Sequence, residues 1–276
     1  MDNIDPQLER EYNNRAMVPE HPMIFERWHK NSAVLRARTD CVVDVPYGDL
    51  PRQRLDLFRA TNAVGTVVFI HGGYWRSLDK ADFSFVAAGL LEAGLSVATI
   101  SYRLCPAVTI AEIIGDCRLS LDWLAMHGAG MGLNLERVAL AGHSAGGHLV
   151  ASLFALSRAQ RPASALNIVG GAAVSGIFDL TPLLQCSMNA DLHLDAESAK
   201  KLSPALHAPR LNVPLLLSVG ANESDAFRRQ TADLNQAWPQ VCPSPAILDG
   251  CNHFTVVDEV FDPGGSGVGA IRALFG

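Results

Sequence analysis

The sequence lacks any cluster of Lys and Arg. Its formal net charge is −6 and its pI is near 5.8, which excludes a nucleic-acid binder held by a basic patch. Cysteine is sparse and unpatterned: Cys41, Cys105, Cys117, Cys186, Cys242 and Cys251 contain no C-x-x-C pair. Such scatter suits reduced thiols in the cytoplasm better than a disulfide framework or a zinc site. His71, His143, His148 and His253 lack metal-ligand spacing such as H-E-x-x-H, so no metal and no cofactor are expected. No apolar run reaches the ~18 residues of a membrane span. The first residues, M-D-N-I-D-P-Q-L-E-R, lack the charged-then-apolar layout of a signal peptide. Internal repeats, low-complexity tracts and a dividing Pro/Gly/Ser-rich linker are also missing. One domain over residues 1–276 is therefore expected.

What is present is material for a large core. Hydrophobic residues make up 49% of the 276 positions and charged residues 18%. Two short helices are expected over 6–15 and 22–37, forming a polar N-terminal segment that could cap a site. Cys41–Tyr47 and Arg52–Phe58 alternate polar and apolar around Gly48-Asp49-Leu50-Pro51, predicting a hairpin with one solvated face. Thr66–Ile70, Ser96–Ile100 and Val138–Ala141 read as buried strands, Ile168–Val174 and Val213–Val219 as further strands and Ala246–Leu248 as a short one. Between them helices are expected at Asp82–Ala93, Ile110–His127, from Ala145 to about Arg158, at Ala226–Trp238 and near Ala270. Strand–helix alternation predicts a mostly parallel sheet with helices on both faces. Residues 176–212, broken by Pro182, Pro204 and Pro209, are expected to form an irregular, lid-like insert.

The chemistry centres on Gly142-His143-Ser144-Ala145-Gly146. This G-x-S-x-G pentapeptide lies between a strand and a helix, the setting of a nucleophile elbow. Side chains at Gly142 and Gly146 would collide in so sharp a turn. A serine hydroxyl needs a base, and the base needs an orienting acid. Downstream of Ser144, a strand ends at Gly220 and Ala221-Asn222-Glu223-Ser224-Asp225 follows. Glu223 holds the preferred position for the acid. Asp225 is the alternative, and it could instead cap the helix after it. His253, in Gly250-Cys251-Asn252-His253-Phe254, follows the last strand where a base belongs. His143 and His148 are expected to pack or hydrogen-bond. For the oxyanion, donors are expected from the backbone N–H groups of Ala145, Gly73 and Tyr74, with Gly72 shaping the turn. Tyr74, Trp75 and Phe254 would line an aromatic pocket suited to a flat aryl substrate, or else pack against the N-terminal segment.

H-G-G-Y-W at 71–75, G-H-S-A-G-G at 142–147, G-x-x-E at 220–223 and G-x-x-H-F at 250–254 together resemble the α/β-hydrolase fold, in its hormone-sensitive-lipase-like branch. Within that branch the sequence is most similar to the arylformamidase (kynurenine formamidase) group. Tyr and Trp stand in H-G-G-Y-W where esterases more often carry a third glycine. S-V-G-A-N-E-S-D-A-F-R-R-Q resembles that group's acid loop and favours Glu223, although the group usually carries Asp there. S-G-I-F-D-L at 175–180 and L-S-P at 202–204 are also similar. The resemblance implies a sheet of about eight strands with a small cap from the N-terminal segment and the insert. It implies a serine hydrolase acting on a small-molecule aryl amide or ester, releasing a formyl-like group. Carboxylesterase or carbamate hydrolase activity is the alternative, and a receptor that has lost its chemistry is the reading from another class. A homodimer is admitted; no nucleic-acid or membrane partner is expected.

Overall fold

The computed structural model describes residues 4–38, 40–156 and 166–276. Eight strands form one sheet: β1 (Cys41–Pro46), β2 (Arg54–Phe58), β3 (Thr66–Ile70), β4 (Ser96–Ile100), β5 (Val138–His143), β6 (Ile168–Val174), β7 (Leu215–Gly220) and β8 (Ala246–Leu248). Their spatial order is β1-β2-β4-β3-β5-β6-β7-β8. β2 pairs antiparallel with both β1 and β4, and the pairs from β4 through β8 are parallel. This is the α/β-hydrolase fold. The chain leaves β3 for β4 on one side and returns to β5 on the other. That reversal opens a crevice beyond the carboxyl ends of β3 and β5, where α/β sheets place their ligands.

Alternation along each strand feeds two cores. Val68 and Ile70 of β3 face a core shared with α5 (Ile110–His127), α6 (Ala145–Ala155) and α9 (Asp225–Ala237). Val67 and Phe69 face another, shared with α3 (His21–Arg36), α4 (Ala87–Glu92), α10 (Thr255–Phe261) and α11 (Ser266–Ala273). Every residue of α6 from Ala145 to Phe154 is buried, as expected of a helix apolar all round. β2 is buried at four consecutive residues, Leu55 to Phe58, so the solvated face expected of the hairpin belongs to β1 alone. The cause is position: β1 lies at the sheet edge, while β2 lies inside it.

The N-terminal segment differs from expectation in detail. A single helix over 6–15 is replaced by α1 (Pro6–Tyr12) and α2 (Asn14–Met17). Asn13 breaks it, because its side chain accepts from the Ala16 N–H and caps the second piece. The helix expected at Asp82–Ala93 opens as a 3-10 helix over Lys80–Val86 before becoming α4. Asp79 caps that opening in a reciprocal pair with Asp82. Residues 176–212 are not merely irregular. They hold α7 (Asn189–Leu192), α8 (Ala196–Lys201) and 3-10 turns at Thr181–Gln185 and Pro204–Leu206. The chain closes with two helices rather than one, α10 and α11, separated by Asp262–Gly265. The expected end of α6 near Arg158 lies outside the described residues.

Buried ion pairs fasten α3 to the sheet. Arg36 pairs with Asp56, which is fully buried on β2. Lys80, nearly buried, reaches Asp44 at 2.6 Å and Asp56 at 3.1 Å. Removing one partner would strand charge in the interior, so this cluster holds α3 in place. Among the described residues, no helix is long and apolar enough to cross a membrane.

Candidate active site

Ser144 sits between β5 and α6 with φ 55° and ψ −118°, a conformation few side-chain-bearing residues adopt. The glycines around it make this turn feasible. A Cβ on Gly142 would lie 2.4 Å from the Gly146 carbonyl oxygen, and one on Gly146 would lie 2.0 Å from that of Ile70. The Ser144 N–H is tied to the Val174 carbonyl at 2.8 Å, and its own carbonyl receives the His148 N–H at 3.0 Å. The hydroxyl is therefore carried on a backbone fixed on both sides.

The structure brings Ser144, His253 and Glu223 together. His253 Nε2 lies 3.0 Å from Ser144 Oγ, and His253 Nδ1 lies 2.6 Å from Glu223 Oε2. All three residues are buried. Glu223 is reached through a close approach of two loops. A Cβ on Gly220 would meet the Cys251 carbonyl oxygen at 2.3 Å, so only glycine lets the ends of β7 and β8 converge there. The other carboxylate oxygen, Oε1, accepts from the Ser175 hydroxyl at 2.5 Å and from the Gly220 N–H at 2.8 Å. Asp225 is elsewhere. Its side chain is 65% exposed and paired with Arg228. Nor does it cap α9; Ser224 accepts the Phe227 N–H in that role.

Two further histidines frame the base. His143 Nε2 lies 2.8 Å from the His253 carbonyl, an oxygen that can only accept, so Nε2 carries the proton. Burial pushes His143 well below the usual histidine range, with the nearby His253 adding to the effect. His148 bonds the Leu202 carbonyl at 2.8 Å, tying α6 to the insert. Burial lowers it from 6.5 to about 4. Neither residue is placed to take the Ser144 proton. His71 likewise falls to about 4 through burial, stacked 4.3 Å from Tyr102.

The loop after β3 presses against the serine. A Cβ on Gly72 would fall 3.2 Å from that of Ser144. Gly73 has φ +112° and would strike the Ser77 carbonyl oxygen at 2.2 Å if it carried a side chain. Its carbonyl is held by the N–H groups of Arg76 and Ser77 and by the Ser77 hydroxyl. Among the described residues, none accepts a hydrogen bond from the N–H of Gly73, Tyr74 or Ala145. Ala145 is the first residue of α6, where free N–H groups and the helix dipole favour negative charge.

Above these groups is a cavity of about 400 Å³, within the range of small-molecule sites. Tyr74, Phe254, Phe25, Trp28 and Phe83 supply its aromatic wall, with Ser144, His143 and His253 also in the lining. Trp75, expected beside Tyr74 and Phe254, is not in this wall. It is fully buried and packs edge-on against His148 at 5.0 Å. Its backbone φ of +56° follows the +51° of Tyr74, and two left-handed residues in succession turn the indole inward. Sequence reasoning missed Phe25 and Trp28, which reach the cavity from α3. It also left Ser175 without a role, although S-G-I-F-D-L was singled out. The N-terminal segment covers the site: Tyr12, Asn13, Asn14 and Arg15 line it, and Tyr74 Oη donates to the Tyr12 carbonyl at 2.5 Å.

Known proteins resemble this chain over most of its length. The BD-FAE family model matches residues 55–237. The kynurenine formamidase of Salmo salar is 28% identical over 238 residues, covering 82% of this chain and 79% of that protein. A protein from Silicibacter sp. TM1040 with a provisional thioesterase description superposes with a TM-score of 0.86 at 33% identity. The match covers 96% of this chain and 98% of that one. Esterase B from Lactobacillus rhamnosis shares the fold, with a TM-score of 0.74 at 23% identity over 94% of each chain.

Proposed function

The chain belongs to the BD-FAE family and is a serine-hydrolase-like enzyme; on that premise we propose that it removes a small, formyl-like acyl group from an aryl amide. The observation that carries the reading is the hydrogen-bonded chain Glu223–His253–Ser144 at the floor of an aromatic-walled cavity. Kynurenine formamidases among its relatives support the aryl amide.

In this reading His253 takes the Ser144 proton as Oγ bonds to the carbonyl carbon. Glu223 holds the imidazole and stabilises its charge. The carbonyl oxygen becomes an oxyanion held by the N–H groups of Gly73, Tyr74 and Ala145, with Gly72 keeping the loop close. Loss of one such donor typically costs about 3 kcal/mol. The carbon–nitrogen bond then breaks, and the amine leaves with the proton from His253. Water attacks the acyl-enzyme by the same steps and releases formate and free Ser144. An arylamine leaves more readily than an alkylamine because the ring delocalises the nitrogen lone pair. The described part of residues 1–40, and residues 176–212, act as caps on a single domain working in the cytoplasm.

The test is Ser144→Ala, which should abolish hydrolysis of an activated aryl ester in a folded protein, together with stoichiometric labelling of the wild type by a fluorophosphonate. Ranking formanilides, aryl esters, aryl thioesters and carbamates by kcat/KM decides the acyl chemistry. A strong preference for alkyl esters would overturn the formamidase reading. Absence of labelling would favour a receptor.

A further inference from the structure

We propose that Ser77 is a positioning residue for the oxyanion: its hydroxyl keeps the peptide between Gly73 and Tyr74 turned so that the Tyr74 N–H faces the reacting carbonyl. The inference rests on the serine-hydrolase reading above, though on neither the acyl group nor the leaving group. Ser77 lines the cavity together with Gly73, Tyr74 and Ser144. A trans peptide is planar, so its C=O and N–H point to opposite sides. Whatever grips the carbonyl therefore aims the N–H. The Gly73 carbonyl has three donors: the Arg76 N–H at 3.1 Å, the Ser77 N–H at 3.0 Å and the Ser77 hydroxyl at 3.0 Å. A carbonyl oxygen only accepts, so the hydroxyl gives it its proton. The Ser77 oxygen is left to accept, and Arg15 Nη2 donates to it at 3.4 Å.

The grip is needed because the local backbone favours the other orientation. Tyr74 has φ +51° and Trp75 has φ +56°, left-handed values that are costly for residues with side chains. A half-turn of the Gly73–Tyr74 peptide would return Tyr74 to negative φ, and glycine at 73 offers that rotation little resistance. The same half-turn would place a carbonyl oxygen where the oxyanion must sit. The preceding peptide is secured in another way. His71 Nδ1 donates to the Gly72 carbonyl at 2.6 Å, from a fully buried ring stacked on Tyr102. At Gly73 two of the three donors are backbone groups of the turn itself, and they are lost if the turn opens. Among the described residues, the Ser77 hydroxyl is the side-chain donor to this carbonyl. It therefore sets how much of the enzyme carries a complete oxyanion site.

Paired ketones test this. Ser144 Oγ adds to the carbonyl of an aryl trifluoromethyl ketone: a carbon–oxygen bond forms, the proton passes to His253, and the carbonyl oxygen becomes a bound oxyanion. The matching aryl methyl ketone stays planar and reads ground-state binding alone. Wild type should bind the trifluoromethyl ketone far more tightly. Ser77→Ala should weaken that binding about fivefold, in step with a similar fall in kcat on an activated aryl ester. KM and the Ki of the methyl ketone should stay within about twofold. Ser77→Thr keeps the hydroxyl and should behave as wild type, while Ser77→Val, its match in shape, should behave as Ser77→Ala. That Thr–Val pair carries the comparison if the Ala variant does not fold. Equal weakening of both ketones would mean that Ser77 only shapes the cavity. Unchanged affinity for the trifluoromethyl ketone would mean that it does not act on the oxyanion. Either result overturns the proposal while the hydrolase reading stands. A wild type that shows no preference for the trifluoromethyl ketone overturns that reading, and the proposal with it.

Discussion

Ser175 donates its hydroxyl to Oε1 of Glu223 across 2.5 Å, on the side of the carboxylate away from His253. Oε2 faces the imidazole while Oε1 is held by Ser175 and the Gly220 N–H, so the acid is clamped at both ends. Ser175 itself stands at the end of β6 with φ +49°, and its N–H is bonded to the Ser218 carbonyl at 2.7 Å. Ser175→Ala removes one clamp from a buried carboxylate and leaves the other. We expect kcat to fall about tenfold with KM nearly unchanged, because one hydrogen bond to a charged group is lost. Steady-state kinetics on an activated aryl ester checks this. An unchanged kcat would mean that Gly220 alone suffices.

Glu223→Gln and Asp225→Asn, compared side by side, assign the acid. Glutamine keeps the size of Glu223 but cannot stabilise the imidazolium, and it favours the wrong tautomer of His253. A loss of about a thousandfold or more in kcat is expected. Asp225 is exposed and paired with Arg228, so its change should stay within about twofold. If the Asp225 variant alone is crippled, the hydrogen-bonded chain seen here is not the working one.

The elements legible in the sequence were those with strong local signatures. The apolar runs became strands, and the pentapeptide became the elbow because its two glycines have no substitute. The acid was legible as far as the G-x-x-E spacing. Its support was not: Ser175 carries no local mark, and it meets Glu223 only because β6 and β7 pair in register. Trp75 shows the opposite failure. An aromatic beside the oxyanion loop suggests a pocket, but a positive φ decides which way it points, and no sequence pattern announces that outside glycine. Phe25 and Trp28 were hidden for a third reason. α3 reaches the cavity through tertiary contacts, among them the Trp28 Nε1 bond to Asp258 at 2.8 Å, that join chain positions far apart.

Tyr74 tests whether the N-terminal segment acts on the oxyanion loop. Its phenol donates to the Tyr12 carbonyl and accepts from Asn14 Nδ2 at 3.4 Å. Tyr74→Phe removes the hydroxyl without changing the ring, leaving the Tyr12 carbonyl without this donor at a cost of about 1–3 kcal/mol. The expected result is a fall in kcat of about fivefold or more with a small loss in melting temperature. A kcat equal to wild type would show that α1 and α2 cover the site without positioning it.

His148 predicts part of the acid sensitivity of the fold. Its value of about 4 in the folded protein lies below the 6.5 of an unfolded histidine. Between these pH values the unfolded chain holds a proton at this position that the folded chain does not. Stability is therefore complete above pH 6.5 and is lost progressively as pH falls toward about 4. The full loss is about 3 kcal/mol from this residue, with His71 acting in the same direction. His148→Gln should lower stability at neutral pH, since the ring contact with Trp75 goes. It should also flatten the decline on acidification. Urea unfolding at a series of pH values between about 7 and 4.5 measures both. Parallel slopes for variant and wild type would mean that His148 does not contribute to the decline.

Trp75 and Phe25 separate packing from recognition. Trp75 is fully buried, and its indole fills space between the oxyanion loop and α6. Trp75→Phe leaves part of that volume empty, and the missing contacts cost about 1–3 kcal/mol in a site that cannot collapse. The melting temperature should drop, while KM for an aryl substrate stays within about twofold, because the side chain does not face the cavity. Phe25 is half-buried on α3, stacked 5.3 Å from Trp28 and set edge-on to Phe254 at 5.0 Å. Phe25→Leu keeps an apolar group there but removes the flat face offered to substrate. KM should rise about fivefold for aryl substrates and change little for small aliphatic ones, with a smaller effect on melting. The two variants thus predict opposite pairings of stability and KM. Were Trp75→Phe to raise KM without lowering the melting temperature, the indole would have to reach the cavity in the working enzyme, and its inward orientation would be wrong.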